Sequence, residues 1–153
     1  MKFLVLLATA SLISAQSSDF VVWKSADLRS FETKLHSKLN QSHAALERLP
    51  DYEGHTAYVV HREGTGTAEV HKTMAHMIYV ISGEAVVVVG GTLISPRKAD
   101  DETTLGVTVE GGQAKEVAAG DLVHIPPAAP HFFKLAPGAQ VTYVMLNLEN
   151  GKR

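Results

Sequence analysis

From residue 55 onward the apolar and polar positions change over in short β-branched runs, each closed by glycine or proline. Segments 55–62, 68–72, 76–81, 85–89, 106–109, 114–117, 122–125, 131–135 and 141–146 read as strands. Turn signals stand between them at Ser82-Gly83, Gly90-Gly91, Gly111-Gly112, Gly120-Asp121 and Pro137-Gly138. Strands this short and regularly spaced predict an all-β antiparallel barrel or sandwich. The longest irregular stretch, 95–104, is charged and reads as a surface loop. Ahead of the strands the period changes. Leu28, Phe31, Leu35, Leu39, Leu46 and Leu49 recur at steps of three, four or seven, which predicts one amphipathic helix over about 25–49. Ser25 is its expected N-cap, and Pro50 forces its end. His36 and His43 fall on its solvated side. Such a helix covers a face or end of the barrel, or lies against a partner subunit.

The first fifteen residues have another character: Lys2, an apolar run from Phe3, small Ser14 and Ala15, then polar Gln16, Ser17 and Ser18. This is the form of a secretory signal peptide cleaved near Ala15, with the mature chain secreted or periplasmic and free of the membrane. The apolar stretch is short for a bilayer span. The expected organisation is therefore a signal peptide at 1–15, an N-terminal segment with the helix at 16–54, a barrel at 55–147 and a tail at 148–153. The 153 residues suffice for one domain with its own core. A net charge of −2 without a basic stripe argues against nucleic acid as a partner. The chain has no cysteine, so disulfides and thiolate ligands are excluded, and any metal would rest on carboxylates and the eight histidines.

Two segments concentrate those groups. In Glu69-Val70-His71, alternation along a strand turns Glu69 and His71 to one side, and a short bend leads to His76 on the next run. In the second, from Gly120 to His131, Pro126, Pro127 and Pro130 stiffen a turn that delivers His131 to a new strand. Imidazole and carboxylate together suit a first-row divalent metal: iron, manganese, zinc, nickel or copper. Three imidazoles and one carboxylate leave positions open, as catalytic sites do.

The second segment resembles the second motif of the cupin superfamily, G-x5-P-x-G-x2-H-x3-N. Gly120, Pro126 and His131 match it, while Ala128 replaces its glycine and Leu135 its asparagine. The first segment resembles the first cupin motif, G-x5-H-x-H-x(3,4)-E-x6-G. His71 falls on its second histidine and Gly83 on its last glycine. Glu69 stands in the place of its first histidine and His76 in that of its glutamate, so two ligand types are exchanged; Gly64 is displaced by one residue. The resemblance covers roughly 55–147 and implies a small β-barrel or jelly roll, one divalent metal held by Glu69, His71, His76 and His131, and commonly a homodimer.

It does not imply one reaction. The leading expectation is a metal-dependent enzyme of oxygenase, lyase or isomerase type acting on a small organic molecule. The alternatives are a non-catalytic binder of a sugar or organic acid, and a structural cupin. Proton-transfer chemistry needs a titratable side chain beyond the ligands. The candidates are His124, Tyr79 and Tyr143, with Arg62 a candidate for a substrate carboxylate. His55 and His61 have no assigned partner at this level.

Overall fold

The structure is a computed structural model and describes residues 20–50 and 54–149. The leader at 1–15 and the last four residues lie outside the described residues. Among the described residues, one helix, α1 (Ser25–His36), precedes twelve strands. These are β1 (Ala44–Arg48), β2 (His55–Arg62), β3 (Ala68–His71), β4 (Met74–Val89), β5 (Thr92–Ile94) and β6 (Arg97–Lys98). There follow β7 (Thr103–Gly106), β8 (Thr108–Glu110), β9 (Gln113–Ala118), β10 (Leu122–Ile125), β11 (His131–Lys134) and β12 (Val141–Glu149). The main sheet runs β1-β2-β12-β4-β11-β3-β7-β6, with β9 and β10 also paired to β4, and β5 pairs with β8. All these pairings are antiparallel, so the architecture is the expected small antiparallel barrel.

β4 organises the barrel. Its first half pairs with β10 and β12, and its second half with β9 and β11. The expected turn at Ser82-Gly83 is instead a point inside this single strand. There the register against β12 slips by one, from Thr142↔Ser82 to Tyr143↔Val80, so Ile81 is an extra residue. A bulge of this kind reverses the alternation. His76, Ile78 and Val80 point inward before it, and Ala85 and Val87 after it. Gly83 has φ +75°, and a Cβ there would stand 2.0 Å from the Gln140 carbonyl oxygen, so only glycine fits the bend.

The interior holds Val60, Ile78, Val80, Val117, Ile125, Phe133, Val141 and Tyr143. A second core lies outside the sheet, where Leu35 of α1 packs with Ala45, Leu49, Ala57 and Val59. β2 serves both cores, its Val60 facing in and its Val59 facing the helix.

The helix corrects the sequence reading. It ends at His36, and 44–48 forms β1, paired with β2 from Ala44↔Arg62 to Arg48↔Tyr58. Asn40 makes the break: its side-chain oxygen accepts the N–H groups of Ser42 (2.8 Å) and Ala44 (3.3 Å). His43 then takes φ +52°, outside any helix. At the other end the N-cap is Lys24, not Ser25, its N–H donating to the Asp27 carboxylate at 3.1 Å. α1 is tied down by polar contacts as well. Glu32 accepts from Ser82 Oγ at 2.5 Å and from Gln140 Nε2 at 2.9 Å, on both sides of the bend. His36 meets Glu63, which also bonds the buried His61 at 3.0 Å; His61 Nδ1 contacts Thr142 Oγ1 at 2.8 Å.

Candidate metal centre

The four expected ligands converge. β3 supplies Glu69 and His71, the inward phase of β4 supplies His76, and β11 supplies His131. Pairing of β11 with β3 sets His131 opposite Glu69. One ligand atom from each lies within 4.8 Å of the others. The ring centroids are 4.8 Å apart for His71–His76, 5.1 Å for His76–His131 and 5.7 Å for His71–His131. Glu69 oxygens stand 3.8 Å from His71 Nε2 and 3.5 Å from His131 Nε2.

Each imidazole is held from behind through Nδ1. His76 Nδ1 bonds Asn147 Oδ1 at 2.8 Å, His131 Nδ1 bonds the Ala129 carbonyl at 2.9 Å, and His71 Nδ1 meets Thr103 Oγ1 at 3.2 Å. A carbonyl oxygen only accepts, so Nδ1 of His76 and of His131 carries the proton. In the neutral ring that leaves Nε2 with its lone pair directed at the cluster, the arrangement of metal-binding imidazoles. His76 Nε2 is buried without a hydrogen-bond partner. An orphaned buried acceptor is costly, and a cation would satisfy it. The donor set therefore fits a divalent transition metal.

Electrostatics agree. Burial alone would raise Glu69, but His131 beside it, with His71 and Arg62 close by, holds its pKa down to about 2. Burial lowers His76 to about 4, helped by His131 and His71. Burial lowers His71 too. The cluster thus presents one carboxylate with neutral His71 and His76 at pH 7.

A cavity of about 190 Å³ opens onto Glu69, His76 and His131. Its walls include Ile78, Met145 and Phe133, with Arg62 and Tyr143 as further polar groups. Arg62 Nε donates to the Tyr143 hydroxyl oxygen at 2.9 Å, and Phe133 stacks on Tyr143 with centroids 4.7 Å apart. Burial raises the Tyr143 pKa, with Glu69 adding and Arg62 opposing, so the phenol keeps its proton. Among the three proton-transfer candidates, Tyr143 alone lines this cavity. Tyr79 is 45% exposed, on the face of β4 opposite His76 and Ile78. His124 opposes Met77, one step out of phase with Ile125↔His76, and lines a separate hollow with Gln113 and Lys115. Asn147 and Thr103 carried no signal in the sequence, because their role depends on the register of distant strands, whereas the Ala129 carbonyl is a backbone group two residues from His131, which no side chain marks. Asn40, Ala44 and Leu46 complete the cavity from the N-terminal segment, which the sequence reading assigned to a helix.

No family model matches the chain, and no curated protein matches it in sequence. Solved structures do match in shape. Pac13 of Streptomyces, described as a nucleoside dehydratase, aligns with a TM-score of 0.51 at 17% identity over 72% of each chain. The polyketide cyclase RemF of Streptomyces resistomycificus aligns at 0.50, with 18% identity over 69% of this chain and 65% of that one. A cupin-2 domain protein of Rhodospirillum rubrum aligns at 0.52, with 17% identity over 72% of this chain and 62% of that one.

Proposed function

The fold is that of the cupin barrels, and from that premise we propose a metal-dependent enzyme acting on a small organic molecule. The observation that carries this reading is the convergence of three Nδ1-anchored imidazoles, one with a buried and unpartnered Nε2. His71, His76 and His131 would hold the ion with Glu69, and it would supply polarisation of a substrate oxygen when bound. The chain's own groups do the rest. Ile78, Met145 and Phe133 exclude water, and Arg62 and Tyr143 orient the substrate. Tyr143 is placed to give a proton from its hydroxyl, which favours lyase or isomerase chemistry over oxygenase chemistry. The names of two similar structures, a dehydratase and a cyclase, support the same side of that choice.

Export after cleavage near Ala15, and a homodimer formed in part through the open β1 edge, belong to the same reading. N-terminal sequencing of the secreted chain and ultracentrifugation test these two points. The central test is elemental analysis of protein purified without added metal. One equivalent of iron, manganese, zinc, nickel or copper per chain is expected, and none in His131→Ala. Full metal retained in that variant would sink the site.

A further inference from the structure

Among the described residues, the guanidinium of Arg62 is the one strong cation on the cavity wall, and only part of it is used. Nε is committed to Tyr143 at 2.9 Å, and the group lies 5.8 Å from the Phe133 ring centroid. Nη1 and Nη2 have no hydrogen-bond partner among the described residues, and Arg62 makes no direct ion pair with Glu69. The guanidinium packs directly on Gly66, where a Cβ would stand 2.7 Å from Nη1, so only glycine admits it in this position. The Tyr143 bond and the packing on Gly66 hold the guanidinium in place, so its unbonded Nη donors belong to a positioned group rather than a wandering chain. A planar pair of N–H donors matches a carboxylate with two parallel bonds.

Charge balance leads to the same ligand. Among the described residues, Glu69 is the only acidic one on this wall. A divalent ion beside Glu69, together with Arg62, leaves the cavity with an excess of positive charge. Such a space favours an anion. Its volume of about 190 Å³ is below the roughly 300–1,000 Å³ of pockets for drug-sized ligands, so the anion is small.

We propose that the cavity binds a short-chain carboxylic acid, with the carboxylate on the free Nη edge of Arg62 and the remainder of the molecule toward Glu69, His76 and His131. This assignment rests on the metal-enzyme reading and names its substrate class. Arg62 is then a specificity-determining residue, and Tyr143, which holds its Nε, is a positioning residue for it.

The experiment is calorimetric titration of the metal-loaded protein with malonate and pyruvate, and with malonamide as the neutral counterpart of malonate. Metal content is measured on the same samples, and circular dichroism checks the fold of each variant. The acids are expected to bind and the amide not to. Arg62→Gln should weaken acid binding at least 10-fold with metal content unchanged, and Arg62→Lys, which keeps the charge but loses the fork, should fall between. Should Arg62→Gln fail to fold, the acid–amide comparison and Arg62→Lys decide. Equal binding of acid and amide, no binding of either acid, or acid binding insensitive to Arg62 overturns the proposal while leaving the metal reading intact. A protein that takes up no metal removes both.

Discussion

The histidines of this protein are specified less by their own positions than by what stands behind them. Replacing Asn147 with leucine leaves His76 in place but removes the acceptor that fixes its Nδ1–H. Loss of such an outer partner costs about 10–100-fold in metal affinity, and a competition titration with a chromogenic chelator should show it. The metal-free state has a definite pH dependence. His76, lowered by burial to about 4, binds its proton more readily unfolded than folded. Its contribution to stability is complete above the ordinary histidine value of about 6.5 and is lost as pH falls through about 4. Glu69, at about 2 despite its burial, extends the loss to lower pH. Urea midpoints with chelator present should therefore fall from pH 6.5 downward, and His76→Gln should flatten the upper part of that fall. Ala128 offers a third residue-scale test. It occupies φ +58° where the family motif has glycine, and its N–H bonds the His71 carbonyl at 2.7 Å. A left-handed alanine costs about 1–2 kcal/mol, partly offset because glycine is freer in the unfolded chain. Ala128→Gly should raise the melting temperature slightly without disturbing the metal site.

At the level of elements, the strands were legible because alternation and turn residues agree along the chain. Segment 55–62 is β2 to the residue, and 122–125 is β10. The expected loop 95–104 holds β6 and the start of β7, and the expected strand 106–109 is divided at Val107 between β7 and β8; two further elements were misread for identifiable reasons. The leucine stripe runs unbroken through Leu39, Leu46 and Leu49, but Asn40 can close a turn with its own side chain, and this local bond wins. Leu46 is then 61% exposed on β1 while its neighbour Ala45 is buried. Ser82-Gly83 has the composition of a turn, yet glycine in a long strand also marks a bulge, and periodicity alone does not separate the two. The four clustered residues were legible as a group because two motifs carry them; Thr103 and Asn147, and the Arg62–Tyr143 pair, come together only through strand register. The helix has its own test. Leu35 is fully buried between α1 and the sheet, and Leu35→Ala should cost about 2–5 kcal/mol, read as a lower urea midpoint with metal stoichiometry retained.

Over the whole molecule, the four clustered residues come from three neighbouring strands, and β11, which lies between β3 and β4 in the sheet, is distant from both in sequence. A metal that binds only this assembled arrangement stabilises the folded chain by mass action, by about 2.7 kcal/mol at a free concentration 100 times its dissociation constant. Melting temperature should thus rise with added metal and return on chelation, and it should not respond to metal in His131→Ala. Unaltered melting in the wild-type protein would mean that folding and metal binding are not linked.

The central position of β4 has a consequence for biosynthesis. Both β2 and the first half of β4 wait for β12, the last described strand, to occupy the gap between them. Until residues 141–149 are available, two open edges face each other with no bridge. The nascent chain should therefore stay sensitive to protease while it lengthens and become resistant in one late step, and a chain halted before Val141 should remain in the sensitive state.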